Sequence, residues 1–85
     1  MADFLDDVRG VASKRILFLP HAIKQMVRPD RLISPADVEV VVSRGELIED
    51  YPDDPRGRSC LLLAWPGDRP VHVVCSPKDE YLAII

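Results

Sequence analysis

From Glu46 onward the apolar residues come in short runs divided by turn residues, and this stretch organises the chain. Residues 46–51 alternate, which predicts a half-exposed strand with Leu47, Glu49 and Tyr51 on one face and Ile48 and Asp50 on the other. Residues 52–57, rich in proline, aspartate and glycine, predict a loop. Residues 59–65 predict the next strand, Pro66-Gly67-Asp68 a tight turn, residues 71–75 a third strand and residues 81–85 a last one. The run 71–75 is apolar on both faces except at His72, the pattern of a strand at the centre of a sheet.

Upstream the period changes from two to that of a helix. Phe4, Leu5, Val8 and Val11 lie near helical spacing after a capping Asp3, but Gly10 reads as an early stop, so a short, frayed helix is expected within residues 1–13. Residues 14–19 then give a compact apolar run that fits a buried lead strand. Pro20 suits a first helical turn and Pro29 ends what it begins, which predicts a helix over about residues 20–27. Its apolar face is expected to be Ala22, Ile23, Met26 and Val27, with His21, Lys24, Gln25 and Arg28 opposite. The next helix carries the densest local signals: Ser34 as N-cap, Pro35 in the first turn, Asp37 in the capping-box position and Gly45 just past the end. Val38, Val41 and Val42 form its buried stripe.

These elements predict one α+β domain over residues 1–85, a short N-terminal helix at 1–13 followed by a core at 14–85. In that core two helices pack on one face of an antiparallel sheet of four to five strands. The sequence stops inside an apolar strand, so the native chain is expected to continue beyond Ile85. Were residues 81–85 an exposed edge, they would offer a homodimer by strand pairing.

Composition narrows the class. Hydrophobic residues at 47% and charged residues at 29% belong to a globular domain rather than a disordered tail. No apolar run approaches the roughly 20 residues of a membrane span, and the N-terminus is acidic where a signal peptide is basic. No membrane partner and a cytoplasmic address are the expectation. Cys60 and Cys75 fall in predicted strands without a second pair nearby, the arrangement of buried free thiols; no metal site and no cofactor are expected.

Charge adds a further feature. The net charge is −3, yet residues 14–31 hold five cations against one carboxylate, and residues 32–57 hold seven carboxylates against two arginines. Such a dipole steers a partner or a self-association, while the acidic total weakens the case for nucleic-acid binding.

The order of elements and several short motifs together resemble domain-of-unknown-function family 4258. The motifs are His21-Ala22 opening a helix, Arg31 before Ile33-Ser34, Gly45-Glu46-Leu47-Ile48-Glu49-Asp50-Tyr51, and Pro70-Val71-His72-Val73-Val74. The resemblance covers about residues 16–85. Where family members carry arginine before the helical methionine this chain has Gln25, and it lacks a Thr-x-Tyr after the last isoleucine.

The resemblance implies a relation to RelE-like toxin and barnase-type ribonuclease folds, in which RNA lies on the open face of the sheet. Cleavage of RNA without metal needs a base for the 2′-OH, an acid for the leaving oxygen and cations for the phosphate. His21 and His72 are the candidate acid–base pair, and Glu49 an alternative base. Arg31 and Arg58, with Lys24 and Arg28 along the basic strip, are the candidate phosphate cations, and Tyr51 is a donor or stacking surface. Under this reading the partners are RNA and an antitoxin-like protein that covers the strip. The competing reading is a non-catalytic protein-binding or regulatory module, favoured by Gln25 and the acidic total.

Overall fold

The computed structural model describes residues 3–85; Met1 and Ala2, the start of the expected N-terminal helix, lie outside the described residues. The elements run α1 (Phe4–Ala12), β1 (Ile16–Phe18), α2 (Pro20–Met26), α3 (Pro35–Arg44), β2 (Glu46–Tyr51), β3 (Ser59–Ala64), a single 3-10 turn at Pro66–Asp68, β4 (Val71–Pro77) and β5 (Leu82–Ile84). This is the α+β arrangement expected from the pattern. No helix among the described residues is long and apolar enough to cross a membrane.

The five strands form one sheet in the order β1-β5-β4-β3-β2, which puts β4, the strand bearing His72, in the middle. The sheet is mixed rather than wholly antiparallel, because β1 runs parallel to β5. That pairing also corrects the expectation of an exposed edge at residues 81–85. Leu82 N–H donates to the Arg15 carbonyl at 2.9 Å and Leu19 N–H to the Ile84 carbonyl at 3.1 Å, so β5 is bonded on both sides. The free edges are β1 and β2, and β5 offers none for a homodimer.

A second correction concerns the helix layer. α1 does not fray at Gly10 but continues to Ala12, with Asp3 and Asp6 closing a reciprocal capping box at its start. Packing overrides the weak propensity of glycine here: Val8 is fully buried, and α1 lies with α3 against β4. Arg9 adds a polar tie, its Nε donating to the Val42 carbonyl at 3.0 Å and its Nη2 to the Gly45 carbonyl at 2.8 Å. It thereby satisfies carbonyls at the α3 C-terminus, where a cation is also favoured by the helix dipole. α2, in contrast, contributes only Ala22 and Met26 to the core. Ile23 and Val27, expected on its apolar face, are 48% and 66% exposed.

α3 follows its local signals. The Asp37 N–H donates to Ser34 Oγ at 3.1 Å and the Ser34 N–H to Asp37 Oδ2 at 3.0 Å, and Val38, Val41 and Val42 are buried. Gly45 ends the helix in an extended conformation, not a left-handed one. Its lack of a side chain is needed for space: a Cβ would stand 2.3 Å from the Val41 carbonyl oxygen.

The helix-facing side of the sheet carries Cys60, Leu62, Val73, Cys75, Leu82 and Ile84, all buried against Val8 and the α3 valines. On the other side lie the half-buried Leu61, Leu63 and Val74 and the exposed His72. In β2 the alternation breaks. Leu47 pairs with Leu62 and Glu49 with Leu61, so a bulge at Ile48 moves Glu49 and Tyr51 to the face opposite Leu47.

Candidate functional site

His21 and His72, far apart in the sequence, line one cleft of about 230 Å³ together with Arg31 and Gln25. Its apolar lining includes Met26, Ile33, Val74 and Ile85. His21 reaches it from the first turn of α2, which begins at Pro20. His72 reaches it from the open face of β4, the only polar break in Val71–Val74.

Arg31 comes from the turn after α2, and that turn is held by a residue that the sequence pattern does not single out. The two terminal nitrogens of Arg69 donate to the Arg31 and Leu32 carbonyls. Leu32 is left-handed, with φ at 47°, a conformation that costs a branched side chain energy and must be enforced by its surroundings. The N–H groups of Arg31 and Leu32 donate to the Arg28 carbonyl, and that of Ile33 to the Met26 carbonyl, each at 2.9 Å. A smaller hollow of about 180 Å³ beside the cleft shares Arg31, Ile33 and His72 with it and is lined by Arg69 as well. Arg31 has no carboxylate partner among the described residues, and its charge is available to a ligand.

The remaining candidates are distributed differently. Lys24 is exposed on α2. Arg28 is engaged with Asp30 at 3.3 Å and with Gln25 Oε1 at 3.3 Å. Glu49 and Tyr51 share the open face with His72 but sit on β2, two strands away; Glu49 is on the order of 12 Å from His72 at the backbone. The Glu49 carboxylate beside Tyr51 stabilises the protonated phenol and raises its pKa above the ordinary tyrosine value. Arg58 belongs to another cluster: its Nη2 meets Asp50 Oδ2 at 2.6 Å, and its guanidinium lies 4.0 Å over the Phe4 ring. The hydrogen bonds from Arg58 hold the Asp50 carboxyl below the usual carboxylate range. The cleft thus gathers His21, His72 and Arg31 and leaves Glu49, Tyr51 and Arg58 outside its walls.

With this geometry in view, the comparison with known families is informative. The family model described as Domain of unknown function (DUF4258) matches residues 18–85. The chain belongs to the DUF4258 family. No curated protein and no solved structure matches the chain. The DUF4258 region contains every residue of the cleft, while α1 with its Val8 and Arg9 lies ahead of it.

Within the DUF4258 region two polar groups escape a reading of the sequence. Arg69 gives no periodic signal; its one cue is its place just before Pro70, at the entry to β4. Asp54, in a loop that reads only as acidic, accepts from Arg56 Nη2 at 2.9 Å, from the Arg56 N–H at 2.9 Å and from Ser59 Oγ at 2.7 Å. Those bonds, chiefly from the Arg56 side chain, keep its carboxyl well below the usual range. Among the described residues no three His, Cys, Asp or Glu side chains converge as a metal site.

Proposed function

We propose that the His21–His72–Arg31 cleft is an acid–base site for phosphodiester cleavage in RNA, in a small toxin-like, cytoplasmic protein of RelE-like character. The observation that carries this reading is the convergence of two histidines and an unpaired arginine in one cleft. Histidine is the side chain suited to both taking and giving a proton near neutrality. One imidazole takes the 2′-OH proton as that oxygen attacks phosphorus. The other, as imidazolium, gives its proton to the departing 5′-oxygen, leaving a cyclic phosphate. Arg31 binds the non-bridging oxygens as their charge grows. Lys24, exposed one turn along α2 from His21, extends the positive surface for the flanking backbone.

A second reading, a protein-binding module without catalysis, is favoured by one observation. Ile23, Val27 and Leu32 are 48%, 66% and 65% exposed beside the basic residues of α2 and its turn. Large exposed apolar side chains grouped with one sign of charge suit a protein partner, such as an antitoxin-like segment.

Both readings meet one experiment: cleavage of several RNAs by the wild type and by His21→Ala, His72→Ala and Arg31→Ala, with folding followed by circular dichroism. The acid–base reading expects cleavage by the wild type and losses of about 100-fold or more in each folded histidine variant. Absence of cleavage by the wild type on every RNA sinks it and turns attention to the apolar surface of α2.

A further inference from the structure

Cys60 in β3 and Cys75 in β4 are register partners, and neither takes part in the cleft. Both are free thiols with no solvent exposure. They are 15 residues apart in sequence, and their sulfurs are 3.8 Å apart. Directly opposed residues of antiparallel strands hold their Cα atoms about 4.5–5.5 Å apart, inside the roughly 4.4–6.8 Å that a disulfide spans. The backbone is therefore already in place for a bond between them. Closing the remaining gap needs rotation about the two Cα–Cβ bonds. We propose that Cys60 and Cys75 are an oxidisable dithiol that hydrogen peroxide converts into an intramolecular disulfide between β3 and β4.

The contact suits a stepwise oxidation. Either thiol can donate in this contact; with Cys75 as the donor, the bond draws the Cys60 thiol below its ordinary value. The same bond, together with burial, pushes the Cys75 thiol up. In the proposed sequence Cys60 acts first. Its thiolate attacks one peroxide oxygen, the O–O bond breaks, and the departing hydroxide takes up the proton that Cys60 gave up, leaving as water and a sulfenic acid on Cys60. The Cys75 sulfur then attacks the Cys60 sulfur; the S–O bond breaks, and the hydroxide leaves as water with the Cys75 proton. Two thiols and one peroxide become one disulfide and two waters. Peroxide is small and uncharged, and it reaches the buried pair through local opening of the strands. The bond forms on the helix-facing side of β4, opposite the face that presents His72, and it ties β3 to the strand that carries that histidine.

The test uses the full, reduced chain, treated with hydrogen peroxide and alkylated with iodoacetamide after denaturation. The expected product is a monomer lighter than the reduced chain by two hydrogens, unalkylated at both cysteines, native by circular dichroism and restored by dithiothreitol. In Cys75→Ala, dimedone should label Cys60 as the trapped sulfenic acid. Retention of both alkylatable thiols, conversion to sulfinic acid, disulfide-linked dimers, or a bond formed only with loss of the native spectrum each overturns the proposal. If Cys75→Ala does not fold, the wild-type mass and spectrum decide the matter alone.

Discussion

Gly45→Ala tests how the sheet and α3 are joined. A Cβ at this position would stand 2.3 Å from the Val41 carbonyl oxygen and 3.1 Å from the Leu63 carbonyl oxygen, and both obstacles are backbone. Neither can swing aside as a side chain would. The end of α3 must shift, and with it go the Gly45 N–H bond to Val41 at 2.7 Å and the Arg9 bond to the Gly45 carbonyl at 2.8 Å. Two lost hydrogen bonds at about 1 kcal/mol each, with strain added, give a cost of about 2–4 kcal/mol. In a domain of this size that lowers Tm by roughly 10–30 °C. Gly10→Ala is the matched control, since a Cβ there meets nothing within 4 Å and α1 continues through the position. It should stabilise the protein by up to about 1 kcal/mol through helix propensity. Urea and thermal unfolding of both variants, followed by circular dichroism, measure the difference. A Gly45→Ala protein within about 0.5 kcal/mol of the wild type refutes the packing account, because ordinary surface substitutions stay in that range.

Two further outcomes are expected. Arg69→Ala should cost about 1 kcal/mol and move the amide NMR signals of Arg31, Leu32 and Ile33, since the guanidinium clamp on that turn is gone; unchanged signals at those residues contradict the clamp. Asp54 has its carboxyl depressed in the folded state by Arg56 first and Ser59 after it, so its stabilising share is present above the unfolded carboxylate value of about 4 and is lost as pH falls below it. Asp54→Asn should therefore be less stable than the wild type at pH 7, with the gap narrowing as urea titrations move toward pH 3; a gap constant across that range rejects the assignment.

Whether an element is legible in the sequence depends on where its information resides. α3 is written locally: Ser34, Pro35 and Asp37 specify its start within one turn, and the structure forms that cap as expected. α1 is not, because Gly10 argues against a helix that is held by Val8 and by the reach of Arg9 to α3. The central position of β4 follows from its two-sided apolar run, whereas the placement of β5 beside β1 depends on a parallel pairing that alternation cannot encode. The bulge at Ile48 is likewise invisible to a period-two pattern, and it moves Glu49 and Tyr51 across the sheet relative to Leu47. For the candidate site, the family resemblance already grouped His21, His72 and Arg31, but nothing in the sequence separated Arg58 from them. His21, His72 and Arg31 meet in one cleft, while Arg58 is drawn away by Asp50 and Phe4, which no spacing rule connects to it.

The tie from Arg9 to the end of α3 bears on how this domain should be delimited. Similarity to the family begins at Phe18, yet the side chain that closes α3 and one of the core's fully buried valines both come from the preceding helix. A border drawn where sequence likeness begins would cut through a cooperative unit. It would leave the α3 carbonyls without their donor and strip from β4 the part of its cover that α1 supplies. Shortened forms of this chain are better bounded by the reach of Arg9 than by the point where family likeness begins.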